Sequence, residues 1–222
     1  IHRYYSSCEG DVRRPRAGDL VPRAKHIVES AIEYFLHEEK SLECMLKVLS
    51  FDYYTHTHSV NVSIFAVFLG REVGFADLEL LRFGMGALLH DIGKCRVDPS
   101  IVNFPGRLSP EQFEQMKKHP EYGVEILAEE RGITDEIVLD VVRHHHEKLN
   151  GKGYPDGIKG DQVSIYARVS AIADIFDALT TRRSYKNAFP TFDALKLMKE
   201  QMSEELDQDI FKKFVLFMGG KK

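Results

Sequence analysis

His90 and Asp91 stand side by side at the end of an apolar stretch and are followed by Ile92-Gly93-Lys94. Neighbouring helical residues point about 100° apart, yet their tips can meet at one cluster. A carboxylate can bridge two cations where an imidazole cannot. The chain holds 10 His in its 222 residues, and their placement is informative. His58 lies in a helical pattern with an apolar face. His119 precedes Pro120, and His144-His145-His146 close another helical pattern just ahead of a glycine-rich loop. Asp174 sits inside the otherwise apolar run Ala171–Phe176. An unpaired charge there costs roughly several kcal/mol unless it meets a counter-ion or a metal. A buried ion pair with Arg168 or Arg182 is one account of Asp174, and a single His is ordinarily a core or surface residue. Five His and two Asp on separate helices are better explained by a metal cluster. Such a nitrogen-rich shell disfavours Mg and Ca and suits Fe, Mn, Zn or Ni.

The elements that carry these residues read as helices. Val60, Ile64, Val67 and Phe68 share one face. Asp77 can cap a helix through Leu78, Leu81, Met85 and Leu88 to Leu89, which Gly93 would end, leaving Lys94 to point into a pocket. Ser109-Pro110-Glu111-Gln112 has the form of a helix start, with Pro at the first helical position. Further helices are expected over Glu121–Glu130, Asp135–His146, Ile165–Leu179, Phe192–Met202 and Asp209–Met218. Between two of them lies Asn150-Gly151-Lys152-Gly153-Tyr154-Pro155-Asp156-Gly157. Strand alternation is absent, so the fold class is all-α. Residues 1–22 read as an irregular linker. Ala24, Ile27, Val28, Ala31, Ile32 and Phe35 begin a helical extension whose apolar face, over residues 24–49, suits dimerisation.

The remaining composition restricts the function classes. A net charge of −4 argues against a binder of nucleic-acid polymers, which carries a basic excess. Neither Val60–Leu69 nor Ala87–Leu89 approaches the roughly 20 residues of a membrane helix, so no span is expected. No signal peptide is visible. The 3 Cys have no framework spacing and fit a reducing compartment, so the expected location is cytoplasmic. The chain begins with Ile1, which reads as a piece of something longer.

The spacing His58…His90-Asp91-Ile-Gly-Lys94…His119…His145-His146-Glu147-x-x-Asn150-Gly-x-Gly153-Tyr154-Pro155…Asp174-x-x-Asp177-Ala178 resembles the HD-GYP family, a branch of the HD metal-dependent phosphohydrolases. The likeness runs from about Asp52 to about Phe217. The His-Asp pair alone would indicate only the superfamily; the His-His-Glu-x-x-Asn-Gly-x-Gly-Tyr-Pro segment specifies the branch. The resemblance implies an HD-domain helical bundle over residues 51–218 preceded by a small extension over 1–50. It also implies a phosphodiesterase that opens cyclic di-GMP to pGpG, with onward cleavage to GMP a further step. By the resemblance, His58, His90, Asp91 and Asp174 would hold one metal. Asp91, His119, His145 and His146 would hold the second, with Fe or Mn the expected pair. Some members carry a Glu four residues before the first motif His for a third metal. Here that position is Tyr54, a poor ligand, so a two-metal centre is expected.

Two divalent cations roughly 3.5–4 Å apart can share and deprotonate one water near neutral pH, and the resulting hydroxide would attack phosphorus in line. Lys94 could stabilise phosphate charge or simply be a solvated lysine. Arg183 and Lys186 could clamp the substrate phosphates, as the matching residues do in the family, or form a solvated basic edge. Asp177, one turn after Asp174, could orient a ligand His. Tyr154 would stand near the nucleotide. The family also ties the Gly-Tyr-Pro loop to contacts with diguanylate cyclase domains. Two alternatives share these residues: a module that binds a cyclic dinucleotide without turning it over, and a hydrolase of another cyclic dinucleotide such as cyclic GMP-AMP.

Overall fold

The computed structural model describes residues 53–130, 132–181 and 188–219. Nine α-helices lie among them, with no strand: α1 Tyr53–Val73, α2 Asp77–Leu89, α3 Pro99–Val102, α4 Pro110–Met116, α5 His119–Glu125, α6 Glu136–His144, α7 Ile165–Thr180, α8 Thr191–Gln201 and α9 Gln208–Met218. The expected extension over residues 24–49 lies outside the described residues, as do Asp52, Arg182, Arg183 and Lys186.

Several helix starts follow from their capping residues. Ser109 accepts from the Gln112 amide while the Gln112 side chain accepts from the Ser109 amide, a reciprocal box that starts α4 with Pro110 at its first position. Asp135, Ser164 and Asp207 accept from the first-turn amides of α6, α7 and α9. The expectation for Asp77 is corrected. Ala76 is the N-cap of α2, and the Glu79 carboxylate reaches back to the Ala76 amide. Asp77 is the first helical residue and pairs with Arg71. The pattern of acids is the same, but the carboxylate that satisfies the orphan donor is Glu79, three residues after the N-cap.

Two apolar clusters frame the site. The larger joins α1, α2, α6, α7, α8 and α9 around Phe83, Ile172, Phe176, Met198 and Phe214. The smaller joins the end of α2 to the α5 region and α6 through Leu88, Leu89, Ile92, Ile126 and Val142. Helix α2 packs tightly between its neighbours. A Cβ on Gly84 would stand 2.7 Å from Val67 of α1, and one on Gly86 would stand 2.9 Å from Val141 of α6. The ends of α2 and α6, the start of α5 and the inner faces of α1 and α7 are thereby brought together.

Gly93 serves another purpose than ending a helix. Helix α2 stops at Leu89, with His90 as its C-cap, and Gly93 lies in a tight 3₁₀ turn over Ile92–Arg96. A Cβ there would fall 1.9 Å from the His119 carbonyl oxygen and 2.5 Å from the Gly123 amide nitrogen. Only glycine lets the turn after His90-Asp91 lie against the start of α5.

Candidate metal centre

Four histidines of the cluster, His58, His90, His119 and His145, arrive from different segments with Nδ1 already engaged. His90 Nδ1 lies 2.7 Å from the Ala87 carbonyl, and His119 Nδ1 lies 2.8 Å from the Met116 carbonyl. His145 Nδ1 lies 3.0 Å from the Val142 carbonyl. A carbonyl oxygen only accepts, so these Nδ1 atoms carry the proton. In the neutral ring the proton-free nitrogen is then Nε2. His58 Nδ1 is 2.6 Å from Asp177 Oδ2. Asp177 is itself fixed, its Oδ1 accepting from Asn61 Nδ2 and Thr181 Oγ1, each at 2.8 Å. An imidazole whose far nitrogen donates to a carbonyl or carboxylate is oriented as a metal ligand is.

The Nε2 atoms of these four rings converge on Asp91, one pair facing each carboxylate oxygen. Asp91 Oδ2 lies 3.2 Å from His90 Nε2 and 3.9 Å from His58 Nε2, whereas Oδ1 lies 3.3 Å from His119 Nε2 and 4.0 Å from His145 Nε2. Asp174 Oδ1 completes the first side at 3.0 Å from His58 Nε2. His146 groups with the second side, its ring centroid 4.2 Å from that of His145, while its Nδ1 lies 3.6 Å from Asp174 Oδ2 across the centre. Candidate ligand atoms therefore gather in two sets, His58, His90 and Asp174 on one side and Asp91, His119, His145 and His146 on the other, each set within 4.8 Å.

The buried polar atoms left without a hydrogen-bond partner fit a metal pair. They include His90 Nε2 and Asp91 Oδ1, one from each set. His119 Nε2 and His145 Nε2 stand 3.2 Å apart, and since each ring donates through Nδ1, this is an approach of two lone pairs. A cation between them accounts for it; a hydrogen bond does not.

The electrostatics of His119, His145 and His146 agree with that reading. Burial holds His119 down to about 3 and His146 down to about 4, and burial with the neighbouring imidazoles pushes His145 well below its ordinary value. All three are neutral near pH 7, the form that binds metal. Burial also acts to lower His58, but Asp174 and Asp177 outweigh it and raise the group to about 9, so its Nε2 would give up a proton on binding a metal. Burial alone would raise Asp91, yet His90 and Lys94 hold it well below the carboxylate range. Asp174 is likewise lowered against its burial, by His58 and His146. The alternative of an arginine partner for Asp174 is not what the structure shows for Arg168, which pairs with Asp161 and Asp207.

Lys94 Nζ lies 2.6 Å from Asp91 Oδ2, with its side chain partly exposed. Tyr154 packs against His146, ring centroids 4.7 Å apart, and lies 6.3 Å from the His119 ring. Burial, with Asp174 and Asp91 adding to it, pushes the Tyr154 hydroxyl far above its ordinary range, so it stays a donor. Tyr54 lies in the first turn of α1, its side chain outside the described ones. His144 stands away from the cluster and bridges Asp140 and Asp156.

Glu147 is a site residue to which the motif assigned no task. It is buried, and its Oε1 accepts from the amides of Asp156 and Gly157 at 2.7 and 2.9 Å. Gly153 passes so close that a Cβ would meet the Glu147 backbone at 2.5 Å. The loop with Tyr154 is thus folded around a carboxylate one residue after His146. An acid directly after two candidate ligand histidines was the available signal.

Comparison with known proteins agrees with this geometry. A family model described as "HD domain" matches residues 40–210. The chain is 34% identical over 209 residues to a Pseudomonas aeruginosa protein named cyclic di-GMP phosphodiesterase PA4108, covering 94% of this chain and 50% of that one. It is 35% identical over 158 residues to a Vibrio cholerae protein named 3'3'-cGAMP-specific phosphodiesterase 3, covering 71% of this chain and 34% of that one. The chain thus spans half or less of these relatives' length. A solved structure titled as Bd1817, a HDG"Y"P protein from Bdellovibrio bacteriovorus, shares the fold at a TM-score of 0.66 and 20% identity, covering 92% of this chain and 65% of that chain.

Proposed function

Because this chain belongs to the HD-domain family, and carries the motifs of its HD-GYP branch, we propose that it is a metal-dependent phosphodiesterase that opens cyclic di-GMP to pGpG. The observation that carries the reading is Asp91, whose two oxygens face separate sets of histidine Nε2 atoms. Under this reading His58, His90, Asp91 and Asp174 hold one divalent cation, and Asp91, His119, His145 and His146 hold the other. The nitrogen-rich donor set favours Fe or Mn over Mg or Ca. When bound, such cations supply Lewis acidity toward a phosphodiester and acidify water.

The protein's own groups have distinct tasks. Asp177 keeps the proton on His58 Nδ1 and so holds Nε2 toward the centre. Lys94 places a cation beside Asp91, where a substrate phosphate would otherwise meet a carboxylate. Tyr154 offers a hydroxyl that does not ionise at working pH. Arg183 and Lys186 are proposed as phosphate contacts from their place in the motif. Cleavage beyond pGpG, pairing of the Gly-Tyr-Pro loop with a diguanylate cyclase domain, a homodimer and a cytoplasmic location belong to the same proposal.

Cyclic GMP-AMP is the second substrate to test, because one relative at 35% identity is named for it. Turnover of both cyclic dinucleotides by protein reconstituted anaerobically with Fe or Mn, with products identified by mass spectrometry, tests the proposal. Release of pGpG, lost in Asp91→Ala, is the expected result. A metal-loaded protein that binds the dinucleotide and leaves it intact would favour the signalling-module alternative.

A further inference from the structure

Helix α4 contributes no buried residue to the fold, yet it holds an aromatic ring against the site. Phe113 is 45% exposed, a large apolar side chain left in solvent on a seven-residue helix. Its ring meets Tyr154 edge to face, centroids 6.2 Å apart at 84°. Tyr154 in turn lies over His146 at 4.7 Å and 34°. A ladder of rings therefore runs outward from the candidate ligands, through Tyr154, to Phe113. Lys117 stands 5.7 Å over the Phe113 ring and is tethered by Glu114 at 2.7 Å.

Both partners of Phe113 are groups that orient a ring. The Tyr154 contact sets its tilt, and Tyr154 is set in turn by the loop folded on Glu147. Lys117 adds a positive charge at the ring, which strengthens its attraction for an electron-rich aromatic system. The α4 start is fixed by the Ser109–Gln112 box, so the ring is held on a short, well-capped helix. An aromatic presented to solvent in this way beside a phosphate-directed centre suits a nucleobase, which every nucleotide carries at a fixed reach from its phosphate.

We infer that Phe113, oriented by Tyr154 and Lys117, is a stacking platform for one base of the substrate. The inference rests on the proposed reading of the site as a cyclic-dinucleotide phosphodiesterase. With one phosphate at the histidine and aspartate cluster, the adjoining sugar passes Tyr154 and its base lies on Phe113. Phe113 then contributes to substrate affinity, and the metal-directed step is left to the cluster. Stacking tolerates any base, so this platform serves affinity and leaves the choice between guanine and adenine to other contacts.

The test uses the metal-loaded full chain with Phe113→Ala, Phe113→Leu and Phe113→Tyr. KM and kcat are read on cyclic di-GMP and cyclic GMP-AMP, and inorganic phosphate is the base-free competitive probe. Phe113→Ala and Phe113→Leu are expected to raise KM about tenfold or more, to leave kcat within about twofold, and to leave the inhibition constant of phosphate unchanged. Phe113→Tyr restores KM. A wild-type KM in Phe113→Leu would show that only bulk matters and would overturn the platform. So would a parallel loss of phosphate inhibition, which would mean a disturbed centre. If the wild-type protein turns over neither dinucleotide, the functional reading fails and the platform with it; if it does and Phe113→Ala is unchanged, the platform alone fails.

Discussion

His119 and His145 face each other through their Nε2 atoms at 3.2 Å, while each donates its Nδ1 proton to a carbonyl of its own backbone segment. Neutral imidazoles in these tautomers repel at that distance, and protonation is opposed by their burial. The fold brings them together nonetheless, through the packing of α5 on α6. A cation relieves that repulsion, so binding is linked to stability.

Metal removal should therefore lower the melting temperature. Chelation of the loaded protein should cost about 5–10 °C at metal concentrations near a hundred times Kd, and readdition of Mn should restore it. Differential scanning fluorimetry with and without chelator measures this. Equal melting temperatures would show that the facing nitrogens need no ion.

Asp177→Asn should weaken metal binding by about 10- to 100-fold while leaving the fold intact. The carboxylate accepts from His58, Asn61 and Thr181 at once. An amide offers one acceptor oxygen and turns its NH₂ toward the remaining donors. Competition with a chelator of known affinity reads the change, and unaltered affinity would remove Asp177 from the account.

Gly93→Ala should destabilise by more than about 3 kcal/mol or prevent folding. The added methyl meets backbone of α5 on two sides, so no side-chain rotation relieves it. Gly74 is the comparison. It has φ +113° with nothing near a Cβ, and Gly74→Ala should cost only about 1–3 kcal/mol from backbone strain. Urea unfolding of both variants checks the order.

The cluster was legible in the sequence because its chemistry resides in residue types and spacing. His58, His90, Asp91, His119, His145, His146 and Asp174 meet where the motif brings them. What orients them was not legible. Three of the Nδ1 partners are carbonyls of Ala87, Met116 and Val142, and every residue has a carbonyl. Glu147 was visible as a motif letter, but its task depends on a loop returning over it. Gly93 read as a helix stop because a local pattern does not reveal the tertiary approach of α5. At Asp77 the acidic first turn was correct and the capping residue was displaced by one, since Glu79 supplies the carboxylate.

Alkaline pH should weaken the contact between the starts of α7 and α2. The Tyr166 hydroxyl donates to Glu79 Oε1 at 2.6 Å. Burial and then this carboxylate raise Tyr166 to about 12, above the roughly 10 of an unfolded tyrosine. A raised folded value contributes stability that is fully present below about pH 10. That contribution is lost as pH rises through about 12. Tyr166→Phe should be less stable than wild type at pH 8, and the gap should close between pH 10 and 12. A gap independent of pH would assign the effect to packing.

The central claim is a two-metal centre bridged by Asp91. Elemental analysis of anaerobically prepared protein, with cyclic di-GMP turnover followed on the same sample, tests it most directly. The account predicts about two Fe or Mn per chain, release of pGpG, and loss of both metal and turnover in Asp91→Ala. Full turnover with one metal per chain or none, or an Asp91→Ala variant that keeps two metals and its activity, would contradict it.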